Sequence, residues 1–313
     1  MLAKLLITVL CWLPTLLALE APPPATDPAP TPALAITKAA TPSTPKRMEW
    51  TIDGVKREGT IYLPPTATAK EPPSAPVVFG FHGHGGNSRN AARSFRMHEE
   101  WPEAIVVYLQ GLPTPGQLTD PKGERNGWQK AVGDQSDRDL KFFDAVLADL
   151  KKTYKVDDTR IYATGHSNGG AFTYLLWSAR PDVFAALAPS AAGGNLQIMT
   201  SLKPKPAMHI AGRNDPLVKF SLQQRCMDQV KRINGCEKEG EQWGGNKDCT
   251  LFKSTTATPF VAMIDDSTHA FNKNAPRLIV KFFKEHANAR KMDPPGSSRS
   301  KKIESEHISP ASN

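Results

Sequence analysis

The sequence predicts an α/β protein in which helices cover both faces of a mostly parallel β-sheet. From Ala75 onward, short apolar runs alternate with segments of helical periodicity, the pattern that parallel strands joined by crossover helices produce. Two of these runs, at 75–81 (APVVFGF) and 104–109 (AIVVYL), are almost entirely apolar, as expected for strands buried on both faces. Polar or glycine-rich sequence follows four of the strands, at the edge where such sheets bind ligands.

The segment before the first buried strand is different in character. Apolar and polar residues alternate over Met48–Tyr62 around Asp53-Gly54, which predicts an antiparallel hairpin. The remaining strands are predicted at 160–164, Val183–Pro189, Ala207–Ala211 and Pro259–Ile264. Helices are predicted to begin near Asn87 or Ser88 and to lie at Asp137–Tyr154, Ala171–Ala179, Gln223–Ile233 and Pro276–His286.

The two ends of the 313-residue chain lack the pattern of a folded core. Within residues 1–19, Lys4 precedes an apolar run that is broken by Pro14, which is typical of a secretory signal; an uncleaved N-terminal anchor is the alternative. Residues 20–46 are rich in proline and predict an extended linker. We therefore expect the folded domain to be 47–288, followed by a disordered polar tail at 289–313.

The distribution of charge and the spacing of histidines argue against two classes of function, nucleic-acid binding and metal binding. The formal net charge is +8, but the basic residues are scattered and form no stripe with aromatic residues, so nucleic acid is not an expected partner. His82 and His84 have a spacing that occurs in metal sites. No nearby Cys or carboxylate completes a ligand set, so we expect neither a metal nor any other cofactor.

Chemistry is most clearly indicated at 162–173 (YATGHSNGGAFT). Gly165 to Gly169 form a G-x-S-x-G pentapeptide between a strand-like run and a helix-like one. A nucleophile elbow has this strand, turn and helix arrangement, in which the serine lies on a strained turn and its neighbours must be small. We therefore predict that Ser167 is a nucleophile at the N-terminus of a helix, where an anion is favoured.

A serine at neutral pH needs an imidazole to accept its proton and a carboxylate to orient that imidazole. His269 follows the last predicted strand, and Asp215 follows the preceding one within a turn bracketed by Gly212 and Pro216. We assign these two residues as base and acid. Asp265 and Asp266 are weaker candidates because residues so close to His269 in sequence seldom face it in this way.

The order along the chain is glycine-rich loop, Ser, Asp and His, which is the α/β-hydrolase order. The loop is His82-Gly83-His84-Gly85-Gly86-Asn87, and it leaves the end of a central strand. The backbone amides of His84 and Asn168 are the predicted oxyanion donors. Trp128 lies in a long loop after the second buried strand and either lines the pocket or packs beneath the loop.

Three cysteines follow the apolar N-terminal run: Cys226, Cys236 and Cys249. In an exported protein, this odd number favours one disulfide and one spare thiol. The polar, glycine-rich sequence between Cys236 and Cys249 resembles a loop pinned at its ends, which favours that pair. Three free thiols remain the alternative.

The chain from about Trp50 to His286 resembles the polyhydroxybutyrate depolymerase and feruloyl or acetylxylan esterase branch of the α/β-hydrolases. The stretches that carry the resemblance are DGVKREGTIYLPP, FHGHGGN, DLKFFDAVLADLKKTYKVDDTRIYATGHSNGGAFTYLLW, PDVFAALAPSA, HIAGRNDPLV and THAF before RLIVKFF. The resemblance implies the same triad and also the Cys236–Cys249 disulfide. One departure borders the site: the family often has Trp-Pro-Gly after its histidine, whereas this chain has Ala270-Phe271-Asn272.

These observations together predict an exported serine ester hydrolase, secreted or periplasmic, that works through an acyl-enzyme. The expected partner is an ester, either linked to a polysaccharide or part of a short polyester. Trp128 and Phe271 favour a carbohydrate or aromatic ester if their rings stack on it; the alternative is that both are packed in the core. A serine peptidase of the same fold and a non-catalytic envelope binding protein are the competing functions.

Overall fold

A computed structural model describes residues 44–116 and 120–288, and these form an α/β structure around one ten-stranded sheet. From one edge to the other, the strands are β1 (46–52), β2 (55–62), β4 (105–109), β3 (75–81), β7 (156–166), β8 (186–190), β9 (207–212), β12 (260–265), β11 (246–252) and β10 (241–243). Strands β4, β3, β7, β8, β9 and β12 are parallel to one another, and an antiparallel pair extends the sheet at each side. The predicted fold class is therefore confirmed. The predictions for 1–19, for most of the linker and for 289–313 lie outside the described residues.

The strands of the main sheet begin and end as follows: β1 Lys46–Ile52, β2 Val55–Tyr62, β3 Ala75–Phe81, β4 Ile105–Leu109, β7 Val156–His166, β8 Ala186–Ser190, β9 Ala207–Gly212, β10 Glu241–Trp243, β11 Asn246–Phe252 and β12 Phe260–Asp265. A separate small ladder pairs β5 (Leu112–Pro113) with β6 (Asn126–Gly127). The helices are α1 Ser88–Phe95, α2 Met97–Glu100, α3 Arg138–Thr153, α4 Asn168–Ala179, α5 Leu196–Ser201, α6 Phe220–Ile233 and α7 Ala275–Lys284.

Buried side chains lie on both faces of the sheet, as the near-continuous apolar strands predict. On one face, α3, α4 and α6 contribute residues such as Phe143, Phe172 and Met227 to a core cluster. On the other face, α1 and α7 contribute Phe95 and Phe283 to a second cluster. Alternate residues of each parallel strand therefore enter different clusters, and the carboxyl ends of the strands are left to build the site.

The antiparallel additions define the two edges of the sheet. The hairpin around Asp53 and Gly54 forms as predicted, with β1 at the edge and its side chains alternating between exposed and half-buried. At the other edge, the segment that we interpreted as a pinned loop instead contains β10 and part of β11. Within this segment the two strands are mostly polar, with only Trp243 and Cys249 buried, and this made them resemble a loop in the sequence.

The Cys236–Cys249 disulfide prediction is wrong for this structure, in which Cys226, Cys236 and Cys249 are all free thiols. Cys249 belongs to β11, where it pairs with Met263 and enters the cluster on one face of the sheet. Cys236 follows α6 and packs against the cluster on the opposite face. The sheet therefore separates the two sulfur atoms, although only a dozen residues lie between them in sequence.

Candidate active site

Ser167 lies at a sharp turn between β7 and α4. Its backbone has φ 56° and ψ −121°, a strained conformation for a residue with a side chain. The turn is possible because its neighbours are glycines: a Cβ added at Gly169 would lie 2.1 Å from the carbonyl oxygen of Phe81, and one at Gly165 would lie 2.3 Å from the carbonyl oxygen of Gly169. The geometry is that of a nucleophile elbow.

His269 lies between Ser167 and Asp215. The Ser167 Oγ atom is 2.8 Å from His269 Nε2, and His269 Nδ1 is 2.8 Å from Asp215 Oδ2. The side chain of His269 is 17% exposed, whereas that of Asp215 is fully buried behind it. The serine hydroxyl can therefore donate to the imidazole, and the imidazole N–H to the carboxylate, as nucleophilic catalysis requires.

Backbone amides fix the carboxylate of Asp215. The amides of Leu217 and Val218 both donate to Asp215 Oδ1, each at 2.9 Å. The turn after β9 that suggested Asp215 in the sequence therefore orients its side chain. Asp265 and Asp266 do not occupy this position, because Asp265 accepts instead from Ser267 and Asn272.

His166 fixes the backbone of His269 through a hydrogen bond. Its Nε2–H donates to the carbonyl oxygen of His269 at 3.1 Å, and its Nδ1 atom lies 3.3 Å from Ser190 Oγ. Burial, together with the neighbouring His269, lowers the pKa of His166 to about 4. His166 is therefore neutral near pH 7, and it fixes the loop that carries His269 without adding a charge.

The oxyanion candidates line the same cavity as the serine. Among the groups around this cavity of about 440 Å³ are His84, Ser167, Asn168 and His269. Asn168 is the first residue of α4, so its amide has no acceptor within the helix. The ring of His84 is held by Asp120, with Nε2 3.1 Å from Oδ2.

The structure places Trp128 in the core rather than in the cavity, which corrects its predicted role in substrate binding. Its side chain is fully buried between Phe81 and Phe172, and its indole N–H donates to the carbonyl oxygen of His82. Only its backbone serves the site: the Trp128 amide donates to Asn168 Oδ1 at 2.7 Å, and Asn168 Nδ2 donates to the Trp128 carbonyl at 3.1 Å.

Phe271 also packs away from the cavity that contains Ser167. Its ring centroid lies 4.6 Å from that of Phe95 and 5.8 Å from that of His166. It packs against the second core cluster and so anchors the loop that follows His269. Neither aromatic side chain of the sequence prediction therefore offers a stacking surface to substrate.

Aliphatic residues that the sequence analysis did not single out form much of the cavity wall. They are Ala171, Ala192, Ile198, Leu217, Val218 and Leu222. Leu217 and Leu222 are 44% and 37% exposed, and neither belongs to a core cluster. The signal available in the sequence was the apolar pair immediately after the Asp215 turn.

No group of three or more metal-binding side chains occurs among residues 44–116 and 120–288. The histidines near the site have other partners. His82 accepts a hydrogen bond from the Gly111 amide at Nε2. His166 Nε2 donates to the carbonyl oxygen of His269. The arrangement that the described residues do form is a serine, a histidine and an aspartate joined by hydrogen bonds in that order.

Buried neutral histidines make the stability of this domain depend on pH. Burial lowers the pKa values of His82 and His209 to about 4, so between pH 6.5 and 4 the unfolded chain binds more protons than the folded one, and stability falls as pH falls. Each residue should cost on the order of 3 kcal/mol by pH 4. We expect Tm to fall through this range, and less steeply in His209→Gln; a flat Tm would contradict the burial of these rings.

Comparisons with known proteins find similarity to one peptidase family and to several esterases. The Prolyl oligopeptidase family matches residues 125–206, which include Ser167 but neither Asp215 nor His269. Probable feruloyl esterase C of Aspergillus flavus is 26% identical over 186 residues, covering 58% of this chain and 63% of that protein. Probable feruloyl esterase C of Aspergillus niger is 28% identical over 193 residues, covering 61% and 67%. The chain thus matches less than two thirds of the A. flavus protein.

A solved structure shows the same fold. An acetyl xylan esterase from Aspergillus awamori superposes with a TM-score of 0.56 and 13% identity, covering 76% of this chain and 99% of the other. The chain therefore has the α/β-hydrolase fold, and its sequence is similar to those of the feruloyl esterases.

Proposed function

We propose that this protein is a serine hydrolase of carboxylic esters that works through an acyl-enzyme. The observation that carries the proposal is the pair of 2.8 Å contacts linking Ser167 to His269 and His269 to Asp215. A core histidine bonded for packing alone would not need to reach a strained serine at the mouth of a cavity. The esterase names of the relatives support the same reaction class.

In the proposed cycle, Ser167 Oγ attacks the ester carbonyl carbon while His269 Nε2 accepts the hydroxyl proton. Asp215 stabilises the imidazolium that forms, because its buried carboxylate accepts the Nδ1–H. Collapse of the tetrahedral intermediate breaks the bond to the alcohol oxygen, which takes the proton from His269. Water, activated by the same imidazole, then releases the acid and restores Ser167.

The amides of His84 and Asn168 are the proposed donors to the oxyanion of the tetrahedral intermediate. Both residues line the cavity that holds Ser167. The reciprocal hydrogen bonds between the Asn168 side chain and the Trp128 backbone hold the first turn of α4 in place. Donors fixed before the reaction stabilise developing charge without reorganising during it.

The cavity wall favours a short aliphatic group over an aromatic one. Its larger apolar side chains are Ile198, Leu217, Val218 and Leu222, and the aromatic side chains lining it are all histidines. Trp128 and Phe271 are packed elsewhere. We therefore propose esters of small aliphatic acids, such as acetyl or 3-hydroxybutyryl groups, as better substrates than feruloyl esters.

A panel of soluble acetyl, 3-hydroxybutyryl and feruloyl esters tests this substrate proposal. We expect kcat/KM for the aliphatic esters to exceed that for the feruloyl ester by about tenfold or more, since discrimination resides in that ratio. Leu217→Ala should reduce the aliphatic preference, whereas Val55→Ala, at an exposed apolar residue in the distant hairpin, should not. A feruloyl preference would refute the aliphatic assignment and leave the triad unaffected.

Covalent labelling separates an enzyme from a binding protein of the same fold. A fluorophosphonate reacts with a serine that an adjacent imidazole activates. Intact-mass and peptide analysis should therefore show one adduct on Ser167. A folded protein that remains unlabelled would favour the non-catalytic envelope role instead.

A serine peptidase is the second candidate, because the matched family is named for oligopeptidases. The triad serves either reaction, so the distinction lies in the substrate. We expect kcat/KM for an ester to exceed that for the amide of the same acid and a comparable leaving group by several orders of magnitude, because an amide is the less reactive acyl donor and the site is proposed to lack amide-specific binding. Comparable cleavage of both would assign a peptidase.

Export remains part of the proposal. It is supported by Lys4 and the apolar run behind it, the pattern of a secretory signal. In the part of the chain that the structure describes, no helix is both long and apolar enough to cross a bilayer.

A further inference from the structure

A buried chain of hydrogen bonds ends on the catalytic carboxylate. Gln223 Nε2 lies 3.3 Å from Asp215 Oδ2, and Gln223 Oε1 lies 3.1 Å from His209 Nε2. The other ring nitrogen of His209 lies 2.8 Å from the hydroxyl of Tyr174. Gln223 and His209 are fully buried, and Tyr174 is 1% exposed. None of these three residues touches the cavity of Ser167.

The protons of this chain have one consistent arrangement. The Val218 carbonyl lies 2.7 Å from Gln223 Nε2, and since a carbonyl only accepts, the nitrogen end of the amide must face Val218 and Asp215. The oxygen end then faces His209, so His209 Nε2 must carry a proton. In the neutral ring, His209 Nδ1 is left as an acceptor for the Tyr174 hydroxyl.

We propose that Gln223 is a positioning residue for Asp215, held in its donating orientation by His209 and Tyr174. The Asp215 carboxylate then accepts four hydrogen bonds: Oδ1 accepts from the Leu217 and Val218 amides, and Oδ2 accepts from His269 and Gln223. The Gln223 bond is the one that fixes the rotation of Oδ2 towards His269 from within the core. It also keeps the carboxylate paired in a dry site without introducing a cation.

The chain connects three elements that must be in register for catalysis. Tyr174 lies on α4, two turns after the nucleophile; His209 lies on β9, which ends at the acid; and Gln223 lies on α6. Tyr174 belongs to the core cluster that α4 and α6 share. The neighbours of His209 on β9, Met208 and Ile210, belong to the opposite cluster, so the His209 side chain points to the α4 and α6 face. The position of the acid is thereby tied to the helix that begins at Ser167.

Two variants test the inference, which rests on the proposed function for its kinetic readout. Gln223→Met removes the donor while keeping a side chain of similar length. Tyr174→Phe leaves Gln223 in place but removes the hydroxyl that donates to His209 Nδ1. Gln224→Met is the matched control, because Gln224 is the next residue of α6 and its side chain bonds to Asp228 on the surface. Rates are expressed per active site, titrated with a fluorophosphonate, so that unfolded protein does not count.

We expect Gln223→Met to lower kcat per site by about tenfold, with KM little changed, because a hydrogen bond to a charged group is lost. The acid limb of kcat/KM should move to higher pH, since a carboxylate with one donor fewer attracts the His269 imidazolium more strongly. The other titratable groups near His269 are His166 on its far side and His84 and Lys130 across the cavity, and the variants leave all three in place. Tyr174→Phe should show a smaller loss in the same direction.

A readout independent of esterase activity completes the test. Nitrogen-15 NMR of the histidines in the wild-type protein should show His209 neutral, with the proton on Nε2, at pH 7. The proposal is overturned if His209 carries its proton on Nδ1, or if both variants keep the wild-type kcat per site and the wild-type acid limb. A wild-type protein that cleaves no ester would refute the proposed function, and the tautomer would then decide the inference alone.

Discussion

Replacing Ser167 with alanine is expected to lower kcat on p-nitrophenyl acetate by about 10⁴-fold or more. The hydroxyl that donates to His269 at 2.8 Å is the only atom in the triad placed to attack a carbonyl carbon. Alanine removes that atom and leaves the base and the acid in position. The residual rate should resemble that of the cavity and its amide donors acting on water.

The control for this experiment is Ser178→Ala. Ser178 is also on α4, but its hydroxyl bonds to that of Ser201 on the surface, and neither serine lines the cavity. Initial rates of the two purified variants, with matched circular dichroism spectra, decide the outcome. Near wild-type activity in Ser167→Ala would mean that the nucleophile has been assigned to the wrong residue.

Replacing Arg57 with methionine is expected to destabilise the fold by about 3 to 5 kcal/mol, the usual cost of removing one partner of a buried ion pair. Arg57 Nη2 donates to Asp139 Oδ1 at 2.7 Å, and the two side chains are 1% and 0% exposed. Burial lowers the pKa of Arg57, and the Asp139 carboxylate opposes that shift. Without the guanidinium, the carboxylate of Asp139 would remain buried. Its remaining partners would be the neutral Gln129 amide and the more distant Arg138.

This ion pair also organises the long loop behind the site. Asp139 Oδ2 accepts from the Gln129 amide, and Gln129 Oε1 accepts in return from the Asp139 and Leu140 amides. Gln129 is the neighbour of Trp128, whose backbone holds Asn168. We therefore expect a loss of activity to accompany the loss of stability in Arg57→Met.

Urea unfolding of Arg57→Met and Arg47→Met measures the difference between a buried and an exposed ion pair. Arg47, on the adjacent strand, pairs with Glu58 but its side chain is 65% exposed, so its replacement should lower stability far less than that of Arg57. Adding Asp139→Asn to Arg57→Met removes the uncompensated charge and should restore part of the stability. Equal losses in the two single variants would argue against a special role for burial.

The sequence was sufficient to locate the parallel strands of the sheet and the residues at their carboxyl ends. Apolar runs such as 75–81 identify buried strands directly, and residues at the ends of parallel strands converge whatever the helices between them do. Ser167, Asp215 and His269 were therefore found without knowledge of any side-chain contact. The bounds of α4 differed by three residues because Gly169 and Gly170, which read as turn residues, form its first turn.

Side-chain contacts between segments distant in sequence could not be predicted from local sequence patterns. Trp128 lies beside a glycine in a long loop, and nothing local indicates whether its ring faces the cavity or the core. The buried position of Arg57 depends on Asp139, which is 82 residues away. The cysteine pairing failed for a related reason, since only the register of β11 reveals that Cys249 faces the opposite side of the sheet from Cys236.

The two ends of the sheet have a consequence for the behaviour of the protein at high concentration. Strand β1 exposes Lys46, Arg47 and Glu49 along its outer edge, and β10 at the opposite edge is only three residues long. An unpaired strand invites pairing with another molecule, and charged side chains and short length both discourage it. Each edge thus carries its own protection against intermolecular β-pairing.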